Sequence, residues 1–204
     1  MIAGADRYRR GWVAVMLEPF AVRAAPLLGS LVADAVCVGV DMPIGLPDVG
    51  EREADKLARK FVGPRWSSVF MTPPRRVLEA ETYAAANELA RTLPGGKGIS
   101  RQAWALKETI FEVERLNDPR LIEVHPEVSF RAMAGAHLAH AKSTWNGQME
   151  RRRLLAERGI DLPDRLEHAG DVPVADVLDA AAVAWTARRY ARGEASSLAE
   201  VIWF

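Results

Sequence analysis

Two apolar runs, Met1-Ile2-Ala3-Gly4-Ala5 and Val36-Cys37-Val38-Gly39-Val40, each stop at an aspartate, Asp6 and Asp41, and nothing else constrains the chain so strongly. Runs this short and unbroken read as central strands covered on both faces, the pattern of a largely parallel sheet. Ligands of such sheets sit beyond the carboxyl ends of the strands. The two acids are therefore expected to face one crevice.

Between the runs, Trp12 to Leu17 and Ala21 to Ala25 read as further strands, with a turn at Arg9-Arg10-Gly11 and a short helix near Leu27 to Ala33. The opening order is strand, strand, strand, helix, strand. Met42-Pro43-Ile44-Gly45-Leu46-Pro47 then makes a rigid loop, since its prolines and glycine can neither continue a strand nor sit inside a helix. Helices are expected over Glu51 to Phe61, Leu78 to Arg91 and Ser100 to Leu116. In the last of these, apolar residues recur at three and four positions behind a Ser100 N-cap. Leu121 to Val124 reads as a strand, and Pro126 to Met133, Gln148 to Arg158 and Val174 to Ala191 as helices. The tail Glu200 to Phe204 reads as an edge strand, or as a dimer contact through Trp203 and Phe204.

The fold class that follows is α/β, a mixed sheet flanked by helices. At 204 residues one domain is expected, with a helical insertion around 48–118. The single cysteine, Cys37, excludes a disulfide framework. No stretch reaches the roughly 18 apolar residues of a membrane span, so a cytoplasmic location and no membrane partner are expected. Lys plus Arg and Asp plus Glu both number 27, which does not announce a nucleic-acid partner. The charge is uneven, however, because residues 51–76 carry seven basic side chains and three acidic ones. Such a segment is either a phosphate-facing surface or a solvated helix face.

Two further regions add acids. Glu123 lies in Leu121-Ile122-Glu123-Val124-His125-Pro126, where strand alternation puts Glu123 and His125 on one face. Asp176 and Asp179 stand one turn apart near the start of an otherwise apolar helix. Asp6, Asp41, Glu123 and Asp179 are the candidate catalytic acids, and with Asp176 the candidate ligands of Mg²⁺ or Mn²⁺, which favour hard oxygen donors. Each has a structural alternative: a turn after a strand for Asp6 and Asp41, a surface carboxylate for Glu123, a helix cap for Asp176. His125 is as readily a hydrogen-bonded structural histidine as a proton carrier. Arg65, Arg75, Arg101, Lys107 and Lys142, in loops or at helix starts, are placed to clamp a phosphate, with Ser67, Ser68, Gln102 and His125 as polar neighbours. No GxxxxGK[ST], GxGxxG, GxSxG or HExxH motif occurs.

These residues resemble an uncharacterised bacterial and archaeal family of predicted nucleases with a ribonuclease-H-like fold. The resemblance rests on Ala3-Gly4-Ala5-Asp6 with Gly11-Trp12-Val13, Asp41-Met42-Pro43-Ile44-Gly45-Leu46-Pro47, Gly63-Pro64-Arg65-Trp66-Ser67-Ser68-Val69-Phe70, Ser100-Arg101-Gln102-Ala103, Glu123-Val124-His125-Pro126-Glu127-Val128-Ser129-Phe130 and Asp176-Val177-Leu178-Asp179-Ala180. It implies a ribonuclease-H-like sheet with acids on strand 1, strand 4, a later strand and the final helix. The Asp176/Asp179 pair is also similar to the closing acidic pair of Holliday-junction resolvases. The chain departs from the family pattern after Asp6, where Arg7-Tyr8-Arg9-Arg10 replaces small residues.

Three functions follow as expectations. The first is a metal-dependent nuclease or phosphodiesterase acting on a nucleic acid or nucleotide. The second is a small-molecule phosphotransferase or ATP-binding enzyme of the same fold. The third is a non-catalytic binding module whose acids merely cap and pair.

Overall fold

In the computed structural model, which describes residues 1–9 and 11–204, the apolar runs do form the middle of a sheet. Strand β1 (Ile2–Tyr8) pairs antiparallel with β2 (Gly11–Leu17), and β2 with β3 (Ala21–Ala25). After helix α1 (Leu28–Val32), β4 (Cys37–Val40) returns parallel to β1, and β5 (Leu121–Glu123) joins parallel to β4. The strand order is β3-β2-β1-β4-β5, a five-stranded mixed sheet in the ribonuclease-H-like arrangement. The turn expected at Arg9-Arg10-Gly11 falls partly outside the described residues, since it includes Arg10.

Alternation along the strands divides the molecule into layers. Ala3, Ala5, Trp12, Ala14, Val38 and Val40 face one core, with α1, α3 (Arg75–Leu78), α4 (Tyr83–Thr92), α5 (Arg101–Ala105) and α6 (Lys107–Leu116) on that side. Val13, Val15 and Leu17 face the other, built from α7 (Pro126–Ala134), α8 (Trp145–Glu157) and α9 (Val174–Ala191). Helix α2 (Glu53–Val62) and a 3₁₀ turn at Gly63–Ser68 pack with α7 and Ile202 in a smaller cluster.

Two expected helices are divided. Leu78 to Arg91 separates into α3 and α4, because Thr82 caps a new helix by accepting from the Ala85 N–H at 3.2 Å. Ser100 to Leu116 separates at Leu106, although Ser100 does cap its start, at 3.1 Å from the Ala103 N–H. The tail pairs as a hairpin, β6 (Ser197–Leu198) with β7 (Ile202–Trp203); Trp203 bridges to Val124 just beyond β5 and packs against the Cys37 and Ile122 cluster. Trp203 packs on Tyr190 and Phe204 on Phe61, so both aromatic side chains have partners within this chain. Among the described residues no helix is long and apolar enough to cross a membrane.

The detail that positions the site is the approach of α9 to the sheet. A Cβ on Gly4 would lie 1.9 Å from the Ala184 backbone nitrogen and 2.5 Å from the Ala180 carbonyl oxygen. On β4, a Cβ on Gly39 would meet a Val183 methyl at 2.7 Å. Only glycine at these positions lets the alanine-rich α9 lie directly on β1 and β4.

Candidate functional site

The acid of β1 follows from that approach. Asp6 is two residues beyond Gly4 and so points from the same face, toward α9. Asp179 immediately precedes Ala180, whose carbonyl meets Gly4, so the helix carries Asp179 along β1 to Asp6. Asp41 follows Val40 and, by alternation, turns to the same side as Gly39. Two strand ends and the first turns of α9 thus deliver three carboxylates to one place. Asp6 is 6% exposed and Asp179 is 1% exposed, whereas Asp41 is partly open and forms the mouth.

Their electrostatics reflect mutual repulsion in a poorly solvated space. Burial, followed by the charges of Asp41, Asp179 and Asp176, holds the Asp6 carboxyl well above the usual carboxylate range. Burial pushes Asp41 up to about 7, against the opposing pull of Lys142 and of a hydrogen bond shared with Asp6. Burial lifts Asp179 to about 6, again opposed by Lys142. Asp176, half-buried one turn earlier, is raised by burial and by Asp179. The Asp6 and Asp41 shifts are both upward, as expected when like carboxyl groups meet in a poorly solvated space.

Among the described residues Lys142 answers these charges. The Lys142 ammonium donates to Asp179 Oδ2 at 2.6 Å from a side chain that is 45% exposed. Burial alone would lower its pKa, but the neighbouring Asp179 carboxylate raises it above the ordinary lysine value. Its loop is anchored by the buried Arg151, which donates to the His140 carbonyl at 3.3 Å and ion-pairs Glu127 at 2.5 Å. The 3₁₀ turn reaches the same loop, Arg65 donating to the Leu138 carbonyl at 3.4 Å. The His125 ring, which burial keeps below its usual pKa, lies near Glu127, Asp179, Lys142 and the Ser68 backbone. Five buried polar atoms of these residues, the acceptors Asp179 Oδ1 and Glu127 Oε2, His125 Nδ1, and the donors Arg65 Nε and Arg151 Nε, have no partner among the described residues.

Glu123 stands elsewhere. It pairs in register with Val40, whose side chain faces the opposite core, so Glu123 points away from α9. There it accepts from the Ile44 N–H at 2.7 Å and from Arg52 at 2.9 and 2.5 Å, and Arg52 also binds Asp55 at 2.7 Å. Burial raises the Glu123 pKa, and the Arg52 guanidinium opposes that rise. The expected common face for Glu123 and His125 is lost because the strand stops at Glu123 and His125 caps α7.

The expected cations divide in the same way. Lys142 and His125 lie beside Asp179, Ser68 lies against His125, and Arg65 bonds the loop that carries Lys142, with Ser67 exposed on the same 3₁₀ turn. The other four, Arg75, Arg101, Gln102 and Lys107, lie on the later helices of the 48–118 segment. Arg75 ion-pairs Glu114, Arg101 lies over Tyr83 at 4.7 Å, and Lys107 donates to the Ala80 carbonyl at 2.9 Å. Gln102 is exposed on α5. Arg7, the bulky departure after Asp6, turns to the opposite face and donates to Thr109 at 3.3 Å and to the Tyr8 and Gly11 carbonyls, so it does not cover the acids. Glu127 and Arg151 were missed in the sequence. Glu127 stands beside His125 in the quoted motif, whereas nothing local marks Arg151 as buried.

Among the described residues, no three His, Cys, Asp or Glu side chains stand close enough to hold a metal ion without rearrangement. The chemistry of the donors still fits a hard cation: carboxylates that repel one another, one unpartnered oxygen on Asp179, and one ammonium on a partly exposed arm. No curated protein and no solved structure matches the chain. Over residues 4–201 it matches the family model described as "Protein of unknown function (DUF429)", and the chain belongs to that family.

Proposed function

We propose that the chain is a divalent-metal-dependent hydrolase of phosphodiester bonds, a nuclease in the broad sense, acting on a single strand or a nucleotide. The observation that carries this reading is the meeting of Asp6, Asp41 and Asp179 from three separate elements in a space where, among the described residues, Lys142 opposes their charge. Deprotonated, three carboxylates against one ammonium leave the site short of positive charge. Mg²⁺ or Mn²⁺ would meet that deficit, held by Asp6, Asp41 and Asp179 with Asp176 at the rim. When bound, such an ion lowers the pKa of a coordinated water and offsets charge on the phosphate.

The remaining roles belong to side chains of the chain itself. Lys142 holds Asp179 Oδ2 from a partly exposed side chain, so its ammonium could turn from that carboxylate toward a phosphate oxygen. Arg65, Ser67 and Ser68 on the 3₁₀ turn border the same loop and provide further donors to the substrate backbone. His125 is kept neutral by burial, and its unpartnered Nδ1 can take a proton from the attacking water. In this reading Glu123 holds no ion. With Arg52 it fixes the Ile44 N–H, and thereby the loop that leaves Asp41.

Net charge near zero disfavours tight duplex binding, because duplex affinity comes largely from neutralising phosphates. The test is cleavage of single-stranded DNA, RNA, branched DNA and dinucleotides with Mn²⁺ or Mg²⁺ against EDTA. Metal-dependent cleavage of at least one, lost in Asp41→Asn, is expected; no cleavage of any defeats the reading.

A further inference from the structure

The helical segment inserted between β4 and β5 contains a cavity of about 430 Å³ that includes none of the acids described above. Its walls mix polar and apolar surface, with Phe70, Met71, Val77, Leu93 and Ile99 among the lining residues. Its charged residues are mostly cationic: Lys56, Arg59 and Lys97 against Glu51 alone. The ion pairs of its lysines are loose and exposed, Lys97 to Glu51 at 3.4 Å and Lys56 to Glu53 at 3.6 Å, so a multiply charged anion could displace them. Arg59 is fixed at the wall by its Nε on the Val69 carbonyl at 2.8 Å and by stacking over Trp66.

Two observations point further toward a ligand. The Pro94-Gly95-Gly96-Lys97-Gly98 loop brings Gly95, Lys97 and Gly98 to the cavity, and Gly95 and Gly96 hold φ of 98° and 59°. Such a backbone is open to glycine and keeps side chains off this edge of the cavity, while the Gly96 N–H turns back to the Leu93 carbonyl at 2.9 Å. Thr72, also in the wall, is 2% exposed, and its hydroxyl has no hydrogen-bond partner among the described residues.

We propose that this cavity is a second binding site, separate from the carboxylate cluster, for a nucleotide-sized phosphate monoester with a flat apolar body. The phosphate sits between Lys56, Lys97 and the glycine loop, and the apolar body lies against Phe70, Val77 and Ile99. The site also has a structural connection to the acids: the Thr72 N–H donates to Asp55 at 2.7 Å, Asp55 binds Arg52, and Arg52 holds Glu123 beneath the loop that leaves Asp41.

Calorimetry with adenosine monophosphate, adenosine and inorganic phosphate, in EDTA so that no divalent ion loads the acids, tests the proposal. Adenosine monophosphate should bind more tightly than either fragment. The double variant Lys56→Glu/Lys97→Glu, altering exposed side chains, should keep its melting temperature and lose about a hundredfold in affinity, roughly tenfold per lysine–phosphate contact. Asp179→Asn should bind as the wild type does. No binding of adenosine monophosphate to the wild type, or equal binding by the double variant, overturns the proposal. Loss of binding in Asp179→Asn would assign the ligand to the acid site instead. The outcome is independent of the metal-dependent reading, because no divalent ion is present.

Discussion

At the scale of single residues the protonation of the acids has a measurable sign. Asp41 and Asp179 have folded-state pKa values of about 7 and about 6, above the ordinary aspartate value. The folded state therefore binds more protons than the unfolded chain between these limits, and stability must fall as pH rises through that window. The metal-free protein should melt at a higher temperature near pH 5 than near pH 8, as read by calorimetry. If Asp41 drives this loss, Asp41→Asn should flatten the profile and stabilise the protein at pH 8. Lys142 has the opposite character, since it neutralises the site while competing with any incoming cation. Lys142→Met should lower metal-free stability by about 1 kcal/mol, yet bind Mn²⁺ more tightly by titration. Glu123 is a structural case: its pair with Arg52 is nearly solvent-free, at 6% and 10% side-chain exposure. Arg52→Ala leaves Glu123 and Asp55 unpaired and should cost about 3 kcal/mol in urea unfolding.

At the scale of elements, what was legible in the sequence depended on local signals. The unbroken apolar runs identified β1 and β4, and α9 begins and ends where its pattern does, at Val174 and Ala191. The break before α4 also had a local signal, the Thr82 cap, which the surrounding helix formers concealed. The face taken by Glu123 had none. It depends on the register Val40↔Glu123, a tertiary pairing that alternation within one segment cannot supply. The most consequential element contact, α9 on β1, also escapes local reading, because a glycine in a strand does not announce what approaches it. Gly4→Ala would place its Cβ 1.9 Å from backbone and force α9 away. A loss of about 3 kcal/mol or more is expected, measurable by chemical denaturation.

At the scale of the whole molecule, the sheet separates two kinds of charge. On the α9 side, acids from β1, the end of β4 and α9 meet with Lys142 as their cation among the described residues, and the 3₁₀ turn bonds the loop that carries it. On the other side, Arg75, Arg101 and Lys107 are engaged within the helical segment, which is why their loop positions in the sequence overstated their freedom. The convergence itself was readable from the rule that ligands lie beyond strand ends. The counter-ion was not, because Lys142 comes from a loop whose path is set by the buried Arg151. The central claim is that this cluster is a cation site. It is tested most directly by titrating Mn²⁺ calorimetrically into wild type, Asp41→Asn and Asp179→Asn at pH 8. Saturable binding to the wild type that both substitutions abolish, in variants that remain folded, is the expected result; no heat from the wild type, or equal binding by all three, would contradict the account.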